Sequence, residues 1–228
     1  MGFHLHPELY DTLLSFKDYE GEAARIHELV GDRRTLLDVA CGTGKHLDFL
    51  RRWYDVEGVD LDPALLAIAR ERLPTVPLHQ ADMRTFDLGK RFDAVTCLFS
   101  AIGYAGDTDG LNAAVARMAA HVVPAGILVV EPWIEPQAWI DGHLHLLTVD
   151  EDDRKIVRIT RSERRGNVSI LDFHYLVVTR DGAESFEERH EPTLFTREDY
   201  VDAFRRAGLE VEHDEEGLIG RGLYIGRR

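Results

Sequence analysis

Cysteine and positive charge are both scarce in this sequence. The 228 residues include only two cysteines, Cys41 and Cys97, too few for a disulfide scaffold or a cysteine-rich zinc site. Lysine and arginine number 27 against 41 aspartates and glutamates, which gives a formal net charge of −14. Because phosphates are repelled by such a surface, the composition argues against a protein that coats nucleic acid.

Long apolar runs are absent as well. The most apolar stretch, residues 111–130, is interrupted by Arg117 and Pro124, so we expect no membrane-spanning helix and no membrane partner. Residues 1–14 alternate polar and apolar side chains and lack the apolar centre of a secretory signal. We therefore expect a cytoplasmic protein with one large domain, or one domain that carries an insertion.

Strand and helix patterns alternate through the first 130 residues. Segments with helical spacing separate five short apolar runs, which begin near Thr35, Val56, Val76, Phe92 and Gly126. This alternation is typical of a parallel sheet covered by helices on both faces. With two further strands near the C-terminal end, the sequence predicts an α/β fold: a doubly wound, Rossmann-like, mostly parallel seven-stranded sheet.

The pattern changes after Pro136. Four strand-like segments separated by short turns follow one another within residues 143–194, which predicts antiparallel pairing. A helix capped by Thr196 then returns the chain to the first pattern. We therefore predict a main domain that comprises residues 1–136 and 195–228. After its fifth strand we predict an antiparallel β insertion, residues 137–194, that covers the acceptor.

A glycine-rich turn joins the first predicted strand to the following helix. In the segment LDVACGTG, residues 37–44, Gly42 and Gly44 let the backbone approach a ligand where a Cβ would collide. Nucleotide-like ligands bind at this point of open α/β sheets. The third glycine of a dinucleotide fingerprint would fall at Leu47, so the pattern departs from that of NAD-binding proteins.

Acidic residues near this turn indicate the chemistry of the ligand. Asp38, inside the first strand, suits a cationic ligand better than a pyrophosphate. Asp60 ends the next strand and can accept hydrogen bonds from ribose hydroxyls. Asp82 can accept one from an adenine amino group, and Met83 can pack on the ring. S-adenosylmethionine carries the groups that these residues suit: a cationic ammonium and sulfonium, a ribose and an adenine.

These segments resemble the motifs of class I S-adenosylmethionine-dependent methyltransferases. The similar segments are residues 37–44 for the first motif, 58–63 for the ribose-binding strand, 81–83 for the adenine contact and 92–95 for the fourth strand. Further segments are similar to N,N-dimethyltransferases of TDP-linked 3-amino-3,6-dideoxyhexoses, which complete sugars such as desosamine and mycaminose; these are residues 17–19, 79–84, 99–104, 130–133, 193–195 and 220–223. The resemblance covers nearly the whole chain and departs from the family at Ile134-Glu135 and in the short N-terminus.

The resemblance implies an enzyme that transfers a methyl group from S-adenosylmethionine to the amino group of a TDP-linked aminodeoxysugar by in-line displacement, leaving S-adenosylhomocysteine. The expected cofactor-binding residues are Tyr19, Asp38, Ala40, Gly42, Thr43, Gly44, Asp60, Leu61, Asp82, Met83 and Leu98. The expected catalytic residues are Tyr10 and Tyr104, and the expected substrate-binding residues are Trp133, His174, Tyr175 and Arg221. We expect no metal and no nucleic-acid partner, and the resemblance makes a homodimer plausible.

Several of these residues also have a purely structural interpretation. In this interpretation Tyr10 and Tyr19 are core aromatic residues of an N-terminal helix, and Arg221 is a solvated charge in a hairpin. Trp133 and Tyr104 fit simple packing residues. Because side chains alternate along a strand, His174 and Tyr175 must face opposite sides of the insertion, and the sequence does not say which faces the acceptor.

Other functions also remain open at this point. The same donor site serves nucleic-acid and protein methyltransferases, although residues 97–100 (CLFS) lack the Asn/Asp-Pro-Pro-aromatic motif of enzymes that methylate exocyclic base nitrogens. A non-catalytic S-adenosylmethionine-binding protein and, more distantly, a dehydrogenase are further alternatives. No general base for an amine is evident, so we expect water to remove the proton.

Overall fold

The computed structural model of the protein describes residues 6–228 and contains two β-sheets and six α-helices in that range. Residues 1–5, part of the segment predicted to lack a signal, lie outside the described residues. The strands are β1 (Thr35–Val39), β2 (Asp55–Asp60), β3 (Leu78–Gln80), β4 (Phe92–Cys97), β5 (Val122–Val130), β6 (Leu144–Asp150), β7 (Arg154–Arg165), β8 (Val168–Thr179), β9 (Gly182–His190), β10 (Glu210–Asp214) and β11 (Leu223–Arg227). The helices are α1 (Tyr10–Leu13), α2 (Tyr19–Val30), α3 (Lys45–Leu50), α4 (Pro63–Arg72), α5 (Thr108–Ala120) and α6 (Arg197–Arg206).

The larger sheet has seven strands in the order β3-β2-β1-β4-β5-β11-β10. Strands β1 to β5 pair in parallel, and β11 runs antiparallel to both of its neighbours. The chain winds outward in both directions from the boundary between β1 and β4, so the carboxyl ends of these two strands flank a crevice where ligands bind in such folds. The predicted doubly wound, mostly parallel seven-stranded sheet is confirmed.

Helices cover both faces of this sheet and bury most of its central strands β1, β4 and β5. On one face, α5 and α6 contribute Leu111, Val115 and Phe204 to the core. On the other face, Ile26 of α2 and Leu47 of α3 pack with residues of α4. Because β1, β4 and β5 are covered on both sides, they are near-continuous apolar runs, and this is why the sequence showed them clearly.

The predicted start of α6 is confirmed in detail. The Thr196 side chain accepts a hydrogen bond from the Asp199 backbone N–H, and the Asp199 carboxylate accepts one from the Thr196 backbone N–H. This capping box satisfies two N–H groups that the helix cannot bond internally. The preceding strand ends earlier than predicted, at His190 rather than residue 194, because Pro192 has no N–H to offer a neighbouring strand.

The second sheet has four strands in the order β6-β7-β8-β9, all antiparallel, and stands apart from the larger sheet. Its inner face carries Ile156 and Tyr175, which pack against Leu9 and Leu13 at the N-terminal end of the described chain. The insertion and the N-terminal segment therefore cover the carboxyl edge of the main sheet together. Within residues 6–228, no helix is long and apolar enough to span a membrane.

Candidate functional site

A cavity of about 900 Å³ lies between the carboxyl edge of the main sheet, the N-terminal segment and the inner face of the insertion. This volume is near the upper end of the range of about 300–1,000 Å³ for small-molecule sites. The lining residues include Ala40 and Gly42 at one end and Tyr175 of β8 at the other. The site is therefore built from three parts of the chain that are distant in sequence.

The glycine turn after β1 forms the floor of the cavity. Ala40, Gly42 and Gly44 all have positive φ angles, of 60°, 54° and 75°, so the turn uses backbone conformations that favour glycine. A Cβ on Gly44 would also lie 2.9 Å from the Leu73 side chain. The Gly42 backbone N–H donates to Asp60 at 2.7 Å, and this bond fixes the turn against the end of β2.

Four of the predicted cofactor residues line the cavity beyond β2 and β3. Asp60 lies at its edge with a pKa that burial raises, although hydrogen bonds from the Asp62 and Gly42 backbone oppose this effect. Leu61, Asp82 and Met83 follow along the same wall. The predicted cofactor residue Leu98, at the end of β4, lines the cavity as well.

Asp82 is already engaged on one side. Its carboxylate forms a bidentate pair with Arg84, at 2.6 Å for the shortest contact. The hydrogen bonds from Arg84 lower the pKa of Asp82, so its carboxylate is ionised at neutral pH. An ionised carboxylate is a strong acceptor for an amino group, which agrees with the predicted adenine contact.

Four predicted cofactor residues lie just behind the cavity wall rather than on it; these are Tyr19, Asp38, Thr43 and Gly44. Asp38 is 2% exposed and accepts a hydrogen bond of 2.7 Å from Thr96 Oγ1. Burial raises the pKa of Asp38 to about 7. In this arrangement the four residues support the turn from behind, and their contact with the cofactor stays a prediction.

The N-terminal segment closes the cavity from above. Thr43 Oγ1 donates to the Asp11 carboxylate at 2.7 Å, and Arg72 bridges the same carboxylate to the Thr43 carbonyl oxygen. These contacts hold α1 over the glycine turn, with Tyr10 lining the cavity. Burial raises the pKa of Tyr10, with Tyr19 nearby adding to the effect, so its hydroxyl stays protonated.

Arg221 enters the cavity from the turn before β11. Its guanidinium donates to Ser100 Oγ at 2.9 Å and lies 4.9 Å from the ring of Trp133, which also lines the cavity. The Trp133 indole in turn donates to Ser169 Oγ at 3.0 Å. Burial lowers the pKa of Arg221, although not enough to discharge a guanidinium. Arg221 is therefore a half-buried cation held by Ser100 and Trp133, not a fully solvated hairpin charge.

The inner face of the insertion carries Tyr175, together with Arg158 and Thr160 of β7. His174 lies on the opposite face, where its side chain is 48% exposed and its Nδ1 is 3.0 Å from Glu187. Alternation along β8 makes this unavoidable once Tyr175 points inward. In this arrangement His174 therefore faces away from the cavity, whereas Tyr175 reaches it.

Comparison with known proteins identifies the family to which this chain belongs. A family model described as a methyltransferase domain matches residues 36–126. Over 227 residues the chain is 46% identical to the dTDP-3-amino-3,6-dideoxy-α-D-glucopyranose N,N-dimethyltransferase of Streptomyces fradiae, covering 96% of this chain and 89% of that protein. It is 43% identical over 229 residues to the dTDP-3-amino-3,4,6-trideoxy-α-D-glucopyranose N,N-dimethyltransferase of Streptomyces venezuelae, covering 97% of each. The chain belongs to the family of dTDP-amino sugar N,N-dimethyltransferases.

A solved structure of this methyltransferase family is equally similar. The S-adenosylmethionine-bound structure of CalS10, an amino pentose methyltransferase from Micromonospora echinaspora, is 43% identical with a TM-score of 0.90, covering all of this chain and 98% of that one. The predicted methyltransferase activity and the S-adenosylmethionine cofactor are thereby confirmed.

The residues of this methyltransferase fit the cofactor. The glycine turn, Asp60 and Asp82 offer backbone and carboxylate acceptors around one arm of the cavity, and Met83 and Leu98 supply apolar surface beside them. The described residues, 6–228, contain no group of three or more His, Cys, Asp or Glu side chains that could hold a metal ion.

Three functional candidates of this methyltransferase were missed in the sequence; these are Glu131, Glu188 and His190. Glu131 is fully buried at the end of β5 and accepts the Phe99 backbone N–H at 2.5 Å. It fixes a turn in which Phe99 and Ser100 have positive φ angles of 51° and 60°. Such strained positions gather at functional sites. Glu188 and His190 line the cavity from β9, and their spacing of two residues was the available signal that they share one face.

Proposed function

We propose that this enzyme adds two methyl groups to the 3-amino group of a dTDP-linked deoxysugar. The observation that carries the proposal is one continuous cavity that runs from the glycine turn to Arg221 and the inner face of the insertion. Its volume suits a donor and a nucleotide sugar bound together. The two similar enzymes from Streptomyces are both named as N,N-dimethyltransferases of dTDP-linked 3-amino sugars, which supports the amine position and the number of methyl groups.

The protein contributes position rather than strong chemistry to this reaction. S-adenosylmethionine supplies a methyl group on a sulfonium, which is already a good leaving group. Tyr10 and Tyr104 present protonated hydroxyls that can hold the acceptor nitrogen in line with the methyl carbon. Alignment of this kind lowers the barrier through proximity, and the cover formed by the N-terminal segment keeps water out.

Arg221 supplies the positive charge that a diphosphate requires. Ser100 and the ring of Trp133 hold its guanidinium in a fixed place, so little side-chain entropy is lost when an anion binds. A hydrogen bond to a charged group contributes about 1.5–3 kcal/mol, which corresponds to an affinity change of about 10- to 100-fold. We therefore assign the diphosphate of the acceptor to Arg221.

The test combines labelled S-adenosylmethionine with dTDP-sugars that carry the amine at C3 or C4. We expect the wild-type enzyme to form the dimethyl product from the 3-amino sugar. The Arg221→Ala variant should raise the KM for the acceptor about 10- to 100-fold and leave the Kd for S-adenosylmethionine unchanged. Arg205→Ala, at an exposed position in the last turn of α6 and away from the cavity, is the matched control and should change neither. Turnover of an unrelated acceptor with none of these sugars used would refute the proposal, and equal loss of both affinities would show that Arg221 is wrongly assigned.

We also propose that the enzyme is a cytoplasmic homodimer. The outer face of the insertion exposes Leu144, Leu146, Ile159 and Leu176, which are 66%, 62%, 46% and 44% exposed. Exposed apolar side chains gathered on one sheet face are typical of a protein interface, and a two-fold axis would bury the same face on each copy. The two free thiols support a reducing compartment. Light scattering of the wild type and of Leu146→Glu tests the dimer, and a monomeric wild type would contradict it.

A further inference from the structure

Tyr104 is joined to a buried histidine on the insertion. Tyr104 belongs to the short 3-10 helix Ala101–Ala105 that follows β4, and His190 is the last residue of β9. The Tyr104 hydroxyl lies 2.8 Å from His190 Nδ1, and both residues line the cavity. His190 is only 4% exposed. A hydroxyl that faces the acceptor is thus connected to a group that can bind a proton.

A carboxylate stands behind this histidine. Glu188 lies two residues earlier on the same face of β9, and its Oε2 is 3.7 Å from His190 Nε2. The Tyr175 hydroxyl donates to the same oxygen at 3.4 Å. The Glu188 side chain is 7% exposed, so its attraction to a protonated imidazole is weakly screened. The hydroxyl, the imidazole and the carboxylate follow one another in the same order as in a catalytic triad, but this hydroxyl is not a nucleophile.

We propose that His190, supported by Glu188, receives the proton of the acceptor amine through the Tyr104 hydroxyl. The inference rests on the proposed amine acceptor and adds a proton path to it. Tyr104 touches the acceptor, whereas His190 and Glu188 act through it as positioning residues. The path replaces the expectation that water removes the proton.

Dimethylation makes such a path useful. In each transfer, the acceptor nitrogen forms a bond to the methyl carbon while the carbon–sulfur bond breaks and its electron pair stays on sulfur. The nitrogen then carries a positive charge and must lose a proton before it can attack again. That proton passes to the Tyr104 oxygen as the Tyr104 proton passes to His190 Nδ1. The imidazolium is held by Glu188 and gives its proton to solvent when the site opens.

The surrounding groups agree with this order of transfer. Burial, with Glu188 adding to it, raises the pKa of Tyr104, so the hydroxyl relays a proton rather than acting as a tyrosinate. Glu188, Tyr10 of the N-terminal segment and Tyr175 of β8 act on Tyr104, and Arg158 of β7 lies on the same face of the insertion. Arg158 lies 4.7 Å from the ring of Phe173, which itself packs on His190.

The first test is the pH dependence of His190→Gln, which keeps a polar side chain but cannot take up a proton. We expect kcat at pH 7 to fall about 100-fold, the lower end of the usual contribution of a general base, with monomethyl product accumulating. The loss should shrink as the pH rises toward the pKa of the amine, because the acceptor then needs no base. A loss that is constant across pH would indicate a structural role and refute the relay.

The insertion offers a matched control. His174 forms the same kind of contact with Glu187, at 3.0 Å, on the opposite face of the same sheet. His174→Gln should leave kcat, its pH profile and the product ratio unchanged. Thermal melting and S-adenosylmethionine binding, measured for both variants, report whether His190→Gln is folded; if it is not, Glu188→Gln and Tyr104→Phe must show the same pH-dependent loss for the relay to stand.

A second measurement needs no acceptor. The relay requires the His190 tautomer with its proton on Nε2, since Nδ1 accepts from Tyr104. NMR of protein labelled with ¹⁵N-histidine, with the His190 signals assigned from His190→Gln, reads this tautomer directly. An Nδ1–H tautomer would overturn the relay while leaving the methyltransferase function intact. A wild type that methylates no amino sugar would overturn the proposed acceptor, and the relay with it.

Discussion

Asp38→Asn is expected to stabilise the free enzyme and to weaken its hold on the donor. Asp38 lies in the centre of β1, is 2% exposed and has Thr96 Oγ1 at 2.7 Å as its hydrogen-bond donor. Burial raises its pKa from 3.8 to about 7, and the nearby Asp60 adds to this shift. The free enzyme therefore carries an unfavourable charge above pH 7 that the cationic donor would compensate.

The size of the effect follows from the two pKa values. Because the folded state holds this proton more tightly than the unfolded state, stability is lost as the pH rises from about 4 through 7. At 1.36 kcal/mol per pH unit, the full cost above pH 7 is about 4 kcal/mol. Burying the asparagine amide offsets about 1–3 kcal/mol of this, so the net gain at pH 8 is about 1–3 kcal/mol. For a chain of this size each kcal/mol raises Tm by about 2–4 °C.

The assay is thermal or urea unfolding of wild type and Asp38→Asn between pH 5 and 8. The difference between the two should grow by about 3 kcal/mol over this range, whatever the amide itself costs. Calorimetry at pH 8 should show at least tenfold weaker S-adenosylmethionine binding by the variant.

Asp93→Asn is the matched control of opposite sign. Asp93 lies on β4, and although burial opposes the effect, hydrogen bonds from Thr35 lower its pKa. Its replacement should destabilise the protein at pH 8. If Asp38→Asn destabilises the protein as Asp93→Asn does, or if its advantage does not change with pH, the argument from a buried charge is refuted.

Two further variants test the cover and the last helix. Arg72→Met removes the bridge between Asp11 and the Thr43 carbonyl, so S-adenosylmethionine should dissociate faster in stopped-flow experiments; an unchanged rate would contradict a role for this bridge. Thr196→Ala removes the side-chain acceptor of the Asp199 N–H and should cost about 1 kcal/mol, or about 2–4 °C in Tm, with kcat unchanged.

The donor side could be predicted from the sequence because its determinants are local. Gly42 and Gly44 occupy a turn whose φ angles few other residues adopt. Asp60 ends β2, the strand that pairs with β1 just before this turn. Each constraint acts within a few residues or between neighbouring parallel strands. Whether a residue lies on the cavity wall or behind it was harder to predict. Asp38 precedes the lining residue Ala40 by two positions and Thr43 directly follows Gly42, yet both lie behind the wall in the packed structure.

The acceptor side could be predicted only in part, because its contacts join distant segments. Tyr104 and His190 are 86 residues apart, and no pattern in either segment predicts their contact. The alternation of His174 and Tyr175 was known, but its phase depends on which face of the insertion meets the N-terminal segment. Without knowledge of that contact, the sequence does not show whether His174 or His190 lies closer to the acceptor.

The scarcity of positive charge can now be weighed at the scale of the site. A net charge of −14 repels an extended polyanion, whose phosphates meet the whole surface. A diphosphate inside the cavity meets mainly the groups that line it, since charges farther away than about 10 Å are screened by salt. Arg221 from the main sheet and Arg158 from the insertion both line that space. The acidity of the surface and the anionic acceptor are therefore compatible, and the same acidity disfavours nucleic acid as a competing ligand.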